Sequence, residues 1–406
     1  MPSLLRLLAT EDDAIPLLLS LAAVNGDMRL YTEHLSNLCR EGSGGVKRLA
    51  CRYLEHLASV KEPLLALKRL ADELGGSSLL HEVVRSLRLG LEPSEVAERI
   101  VDRIVAKLRA RAELVEDMAR AILEVLALTS TILAFAVMMS AFVAGSAALS
   151  TVLPAALAIL AILMAFAAPS IAKLGAPRIP PWLAAFSATS LAAAAYALYA
   201  RSLPAAIASA AATIPVVLYT LSWWREMRSI SNIAIRLAEA LQLGYMRPDD
   251  SLAYDVLMSA KHRVKSSLSL LLIDMLRLLP QEGSHTAARL LRNFAEFAAR
   301  YLELAKSTLV KSLVYEAVVA LSMPALSLLA FNTLNMMTAH AGAAPLPGLA
   351  TLSTSNVYAL TTLMNLPAVA YTLVTSKIGR GTPLLPLLHP LTALLTLLLL
   401  GFGLHP

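Results

Sequence analysis

Several residue groups in this chain could carry chemistry, and each lacks part of the site that it resembles. His81 and Glu82 begin the pattern of a metalloprotease helix, but Arg85 stands where the second zinc-binding histidine would be needed. The glycine-rich segment 42–48 has the wrong spacing for a phosphate-binding loop, and no Gly-x-Ser-x-Gly turn occurs. The eight histidines show no ligand spacing. We therefore expect no catalytic residue, no metal and no cofactor.

Ionisable groups inside apolar segments mark the pathways of transporters, and Glu316 is the residue that comes closest to this description. It could be a coupling residue, or an interfacial acid that snorkels or associates with Lys311. Asparagines in the apolar segments could hydrogen-bond between helices. We interpret them as packing residues, with a role in lining a pore as the alternative. They are Asn332, Asn335, Asn356 and Asn365.

Basic residues cluster in one part of the chain. The cluster consists of Lys261, Arg263 and Lys265, followed on the next helix by Arg289 and Arg292. A solvated cytoplasmic face explains it, and electrostatic docking to an acidic partner is the functional alternative.

Composition indicates a helical membrane protein. Of 406 residues, 57% are hydrophobic and 16% charged, whereas soluble domains carry about 25% charged residues. The net charge is +6, but no dense basic tract favours nucleic acid. Cys39 and Cys51 lack metal or redox spacing, and we expect both to be reduced packing residues. Acids directly after Leu4–Ala9 argue against a cleaved signal peptide.

Charge divides the chain into four parts: charged helical blocks at 1–125 and 223–312, and apolar parts at 126–222 and 313–406. The apolar parts contain seven segments of membrane-spanning length. These lie near 126–145, 151–169, 182–200, 204–222, 313–337, 353–375 and 384–404.

Lys and Arg in the short loops predict the orientation of these spans. Lys173 and Arg178 lie between spans two and three, and Lys377 and Arg380 between spans six and seven, whereas 338–351 contains neither residue type. Arg201 departs from the pattern. We expect the N-terminus and both charged blocks inside, and the C-terminus outside.

Both blocks contain apolar stripes with helical spacing. Ser94 is a plausible N-cap of a long amphipathic helix that continues into the first span. In the second block the stripe includes Phe294, Phe297 and Tyr301. Such stripes favour a helical-bundle core, with partner docking as the alternative.

A local pattern occurs once in each block. Leu19, Ala22, Gly26, Met28 and Arg29 share their spacing with Leu237, Ala240, Gly244, Met246 and Arg247. Glycine after a helical run fits the position where a positive φ is needed. We expect turns at Gly26 and Gly244 and a duplicated architecture.

On these segments, IPLLLSLAAVNGDMRL and IAIRLAEALQLGYMRP, the chain resembles the F-domain family of type II secretion and type IV pilus machines. It resembles particularly the archaeal platform proteins of pili and the archaellum. The resemblance implies two cytoplasmic helical domains, the second shortened between Arg247 and Leu271. It further implies a plasma-membrane protein that contacts a hexameric secretion ATPase and pilin or archaellin subunits, and it leaves a homodimer open. A permease or transporter subunit is the alternative function.

Overall fold

The computed structural model describes residues 11–24, 26–41, 44–74, 79–143, 147–168, 175–242, 264–266, 268–269, 272–273, 284–340 and 354–402. Within these ranges the chain is helical and contains no strand beyond one isolated bridge between Pro177 and Ser266. The all-helical class predicted from the sequence is confirmed. The helices are α1 Glu11–Ala23, α2 Met28–Glu41, α3 Gly44–Val60, α4 Pro63–Glu73, α5 Leu79–Arg88, α6 Pro93–Val143, α7 Ala147–Ala167, α8 Pro181–Ala200, α9 Leu203–Gln242, α10 Ser284–His340, α11 Thr354–Leu363, α12 Leu366–Arg380 and α13 His389–Phe402.

The chain divides into two compact units. Unit 1 contains Met1–Arg111, Ala172–Arg178 and Trp223–Ala305, and unit 2 contains Ala112–Ile171, Ile179–Ser222 and Lys306–Pro406. Unit 1 therefore contains residues 1–111 of the first charged block and 223–305 of the second, and the last residues of both blocks lie in unit 2. The helices α6, α9 and α10 each contribute residues to both units.

The first block forms the helices α1 to α5, packed around fully buried leucine and tyrosine side chains. Tyr31 and Tyr53 meet edge to face with ring centroids 5.5 Å apart. The turn between α1 and α2 has the predicted geometry, because Gly26 has a φ of 76° and its N–H donates to Leu21 O at 3.0 Å. The Asp27 carboxylate then caps α2 by accepting from Arg29 N at 2.8 Å. Gly244 lies outside the described residues.

The cysteines are paired, so the prediction that both are reduced is wrong. Cys39 lies near the end of α2 and Cys51 in the middle of α3, and they form a disulfide with Cα atoms 4.8 Å apart. The short connection between the two helices brings these positions side by side, although the sequence separation of 12 residues matches no metal or redox motif.

The second block contributes its predicted stripe to the core of unit 1. Phe294, Phe297 and Tyr301 are each at most 3% exposed, and Phe297 stacks on Tyr301. The helical-bundle interpretation of this stripe is confirmed. In the first block the stripe of α6 is buried at Ile104 and Leu108.

Unit 2 is built around α12, which packs against α7 along its length, while α13 packs against α8. Buried side chains of α10, α12 and α7 form one cluster that includes Met323, Tyr371 and Ala165. Large apolar side chains of α8 and α9, such as Tyr199 and Leu218, are more than 60% exposed. An exposed apolar surface of this kind suits contact with lipid.

Three helices within the described ranges are long and apolar enough to cross a membrane, which indicates a membrane protein. They are Pro181–Ala200, Leu203–Gln242 and the part Leu291–Met336 of α10, and two shorter apolar helices are Pro154–Phe166 and His389–Gly401. This count is lower than the seven spans predicted from the sequence.

The predicted span at 353–375 is interrupted. It consists of α11 and α12, separated by a turn at Met364 and Asn365. Pro367 explains the break, because proline has no N–H to donate to the carbonyl four residues earlier and disfavours helical geometry at the preceding residue. The Asn365 amide donates to Ser327 Oγ on α10 at 2.7 Å, which is the interhelical role expected for this asparagine.

Candidate functional site

The basic cluster predicted as a docking surface is only partly described. Lys261 and Arg263 lie outside the described residues, and Arg289 lies on α10 with no description of its side chain. Lys265 is half-buried, and its N–H donates to the Glu226 carboxylate at 3.0 Å. Arg292 is exposed and donates from Nη2 to Gln242 Oε1 at 3.0 Å.

Glu316 is the centre of the most deeply buried ionic site described in unit 2. It lies on α10, and Arg380 is the last residue of α12. Both side chains are 0% exposed, and Arg380 Nη2 lies 3.3 Å from Glu316 Oε2. The expected association with Lys311 is wrong: Lys311 pairs with Glu116, and Glu316 pairs with Arg380.

The remaining bonds of this site come from the segment between α12 and α13. Glu316 Oε1 accepts the backbone N–H groups of Leu387 at 2.8 Å and Leu388 at 2.7 Å. Arg380 Nη1 donates to Leu385 O at 2.9 Å. One carboxylate and one guanidinium therefore fix a connecting segment that would otherwise leave buried backbone groups unpaired.

The local sequence brings the two charged residues to the same depth. Ser312 lies one helical turn before Glu316, and Gly379 directly precedes Arg380. A Cβ atom added to Gly379 would lie 2.7 Å from Ser312 Cβ, so α10 and α12 approach closely because these residues are small. Gly381 then adopts a φ of 76° and its N–H bonds to Lys377 O, which ends α12 at Arg380.

The loop pattern predicts Arg380 only as a cytoplasmic loop charge, although the sequence contains a signal for its pairing. After Lys311 the chain has three charged residues: Glu316, Lys377 and Arg380. A lone carboxylate that enters an apolar core must be paired or become neutral. Lys377 and Arg380 are thus the only cations after Glu316 that could pair with it. The close contact of Gly379 with Ser312 brings Arg380 to Glu316.

A second polar site of unit 2 joins α8, α9 and α13. Ser190 Oγ lies 2.7 Å from Ser209 O and 2.7 Å from His389 Nε2, and Thr213 Oγ1 also contacts it. Ser209 O also accepts from Thr213 Oγ1 at 3.0 Å, so the single proton of Ser190 can serve either Ser209 O or His389 Nε2. His389 Nε2 accepts from Ser190 in one tautomer of the ring and donates to it in the other.

The surroundings of His389 bear on what the second site can do. A serine nucleophile needs a neighbouring base that accepts its proton and a third group that orients this base. His389 Nδ1 has no partner in the described structure, so no acid orients the ring. The arrangement is that of a polar contact between helices. Among the described residues no group of three or more His, Cys, Asp or Glu side chains could hold a metal ion.

Comparison of the chain with models of known families, with curated proteins and with solved structures gives no match.

Proposed function

We propose that this chain is the non-enzymatic membrane platform protein of an archaeal type IV pilus, archaellum or related secretion machine. In this role the charged blocks contact a hexameric secretion ATPase, and the membrane helices help to move pilin or archaellin subunits from the bilayer into a filament.

One observation carries the proposal. A charged helical block is followed by apolar helices twice in the chain, with the same glycine turn pattern around Gly26 and Gly244. Most of both blocks belongs to unit 1, and α6, α9 and α10 run from this unit into apolar sequence. Such an arrangement supports a protein that receives force on charged helices and carries it along continuous helices.

The proposal includes seven spans with both blocks inside and the C-terminus outside, supported by the distribution of Lys and Arg in the loops. Labelling of single cysteines in intact cells tests it. A cysteine at Gly283 should react only after the cells are opened, and its reaction in intact cells would refute this orientation.

The ATPase contact is tested with a pull-down at two salt concentrations. Association with an acidic ATPase surface should weaken as added salt shortens the Debye length from about 10 Å at 0.1 M. Arg292→Glu should reduce binding further, because like charges then face each other. Arg236→Glu is the matched control, since Arg236 is an exposed arginine of unit 1 on α9. Equal binding of both variants at low salt would refute docking at Arg292.

The buried pair supports a platform over a permease subunit. A transporter needs an ionisable group that can exchange its partner for a substrate or ion. The two Glu316 oxygens are occupied by Arg380 Nη2 and by two backbone N–H groups. Purified protein should therefore show no ion flux in liposomes. Because the sequence has no phosphate-binding loop, it should also show no ATPase activity of its own. Robust activity of either kind would refute the platform role.

A further inference from the structure

In the sequence, a short stretch of unit 1 separates two helices of unit 2. The connection between α7 and α8 includes the described residues 175–178, which we name the coupling loop. Both of these helices belong to unit 2, whereas Ala172–Arg178 belongs to unit 1 with most of the charged blocks. The helices α7 and α8 begin and end within unit 2, so this loop is their covalent link to unit 1 at this end.

The first half of the coupling loop is held by two aromatic side chains of the second block. Trp223 is 3% exposed, and its Nε1–H donates to Gly175 O at 3.1 Å. A Cβ atom added to Gly175 would lie 2.3 Å from Tyr301 Oη and 2.7 Å from the ring. A larger residue here would require the buried Tyr301 ring to shift, and the loop backbone lies close to one aromatic side chain of α9 and one of α10.

The second half of the loop pairs with the described segment 264–266. Arg178 N donates to Lys265 O at 2.7 Å, and Pro177 and Ser266 form the isolated antiparallel bridge. This contact is made through backbone atoms, so it depends on the position of the partner segment more than on its side chains.

Glu226 fixes that partner segment. Its carboxylate accepts the N–H groups of Lys265 at 3.0 Å and Ser266 at 3.2 Å, and the Ser269 hydroxyl at 2.6 Å. Glu226 follows Trp223 by three residues on α9, so both side chains lie on the same face of the helix. One helix face thus holds the coupling loop directly through Trp223 and indirectly through Glu226.

We propose that the coupling loop is the element through which movement of the second charged block is delivered to α7 and α8. The inference rests on the proposed platform function. A continuous helix such as α9 carries movement along its own axis, but α7 and α8 have no helix that continues into unit 1. A displacement of α9 moves Trp223 and Glu226 together, and both are bonded to the loop or its backbone partner.

The test uses Trp223→Phe, which removes the donor and keeps an aromatic ring, and Glu226→Gln. Trp224→Phe is the matched control, since Trp224 is the adjacent, half-buried tryptophan. In purified full-length protein, hydrogen exchange at Arg178 should become about five- to tenfold faster in the two test variants and stay unchanged in the control. Both test variants should retain ATPase binding in pull-down yet lose filament assembly in cells.

The outcomes separate the two proposals. Normal assembly in variants with a loosened loop would overturn the coupling role and leave the platform function intact. An unprotected Arg178 amide in the wild type would overturn the docking of the loop itself. A wild-type protein that binds no secretion ATPase would overturn both the platform function and the coupling that rests on it.

Discussion

Removing one partner of the buried Glu316–Arg380 pair should destabilise the protein more than removing both. Glu316→Gln keeps the size and one acceptor oxygen for the N–H groups of Leu387 and Leu388, but it leaves the Arg380 charge without a counter-ion. Glu316→Gln combined with Arg380→Met keeps that acceptor and replaces the guanidinium by an apolar chain of similar length.

The magnitude follows from the geometry. Two unit charges 3.3 Å apart attract by about 5 kcal/mol at an effective dielectric constant of about 20. Since both side chains are 0% exposed, water cannot replace the lost partner. Breaking a pair of this kind costs about 3–5 kcal/mol, whereas replacing both partners by matched neutral groups is often close to neutral. We expect about 3–5 kcal/mol for Glu316→Gln and at most about 2 kcal/mol for the double variant.

A double-mutant cycle on the purified protein in detergent measures this difference, with unfolding followed by circular dichroism against denaturant. Lys377→Met is the control, because Lys377 lies one turn before Arg380 and is only half-buried. Its loss should cost well under half as much as Glu316→Gln. If the double variant is destabilised by the sum of the two single changes, the charges do not act as a pair, and the reasoning fails.

Two further predictions concern unit 1. Reduction of the Cys39–Cys51 disulfide, which closes a loop of sequence separation 12, should lower the free energy of unfolding by about 3 kcal/mol. Thermal melting with and without dithiothreitol measures this effect, and a Cys39→Ser/Cys51→Ser variant, which dithiothreitol should not affect, is the control. Two free thiols in the untreated protein would contradict the pairing. Burial lowers the pKa of His34 from 6.5 to about 4, so the unfolded chain binds the extra proton between these values. The free energy of unfolding should therefore fall as the pH drops from 6.5 towards 4, by up to about 3 kcal/mol. His34→Leu should flatten this part of the profile of unfolding free energy against pH. An unchanged slope in this variant would exclude His34 as the cause.

The features that the sequence predicted correctly are local ones. Gly26 follows a helical run, and the requirement for a positive φ there depends only on the neighbouring residues. Phe294, Phe297 and Tyr301 recur with helical spacing, so burial of one of them implies burial of the others. Both inferences use a periodicity or a steric rule that acts within two helical turns.

The features that the sequence interpretation missed depend on contacts between distant segments or on competition between local rules. The pairing of Cys39 with Cys51 requires the register of α2 against α3, which spacing alone does not specify. The break at Asn365 could have been predicted from Pro367, but the length of the apolar run outweighed that signal.

Burial of the pair also bears on the predicted orientation of the loop between α12 and α13. The orientation was predicted from two loop cations, Lys377 and Arg380. Arg380 is neutralised by Glu316 and enclosed in the protein, so its charge is not presented to the membrane surface. Lys377 is only half-buried, with its Nζ 3.4 Å from Gly381 O at the end of α12. A cation at this end is also favoured by the helix dipole. The predicted orientation of this loop therefore depends on the charge of Lys377, while Arg380 serves the packing of α10 against α12.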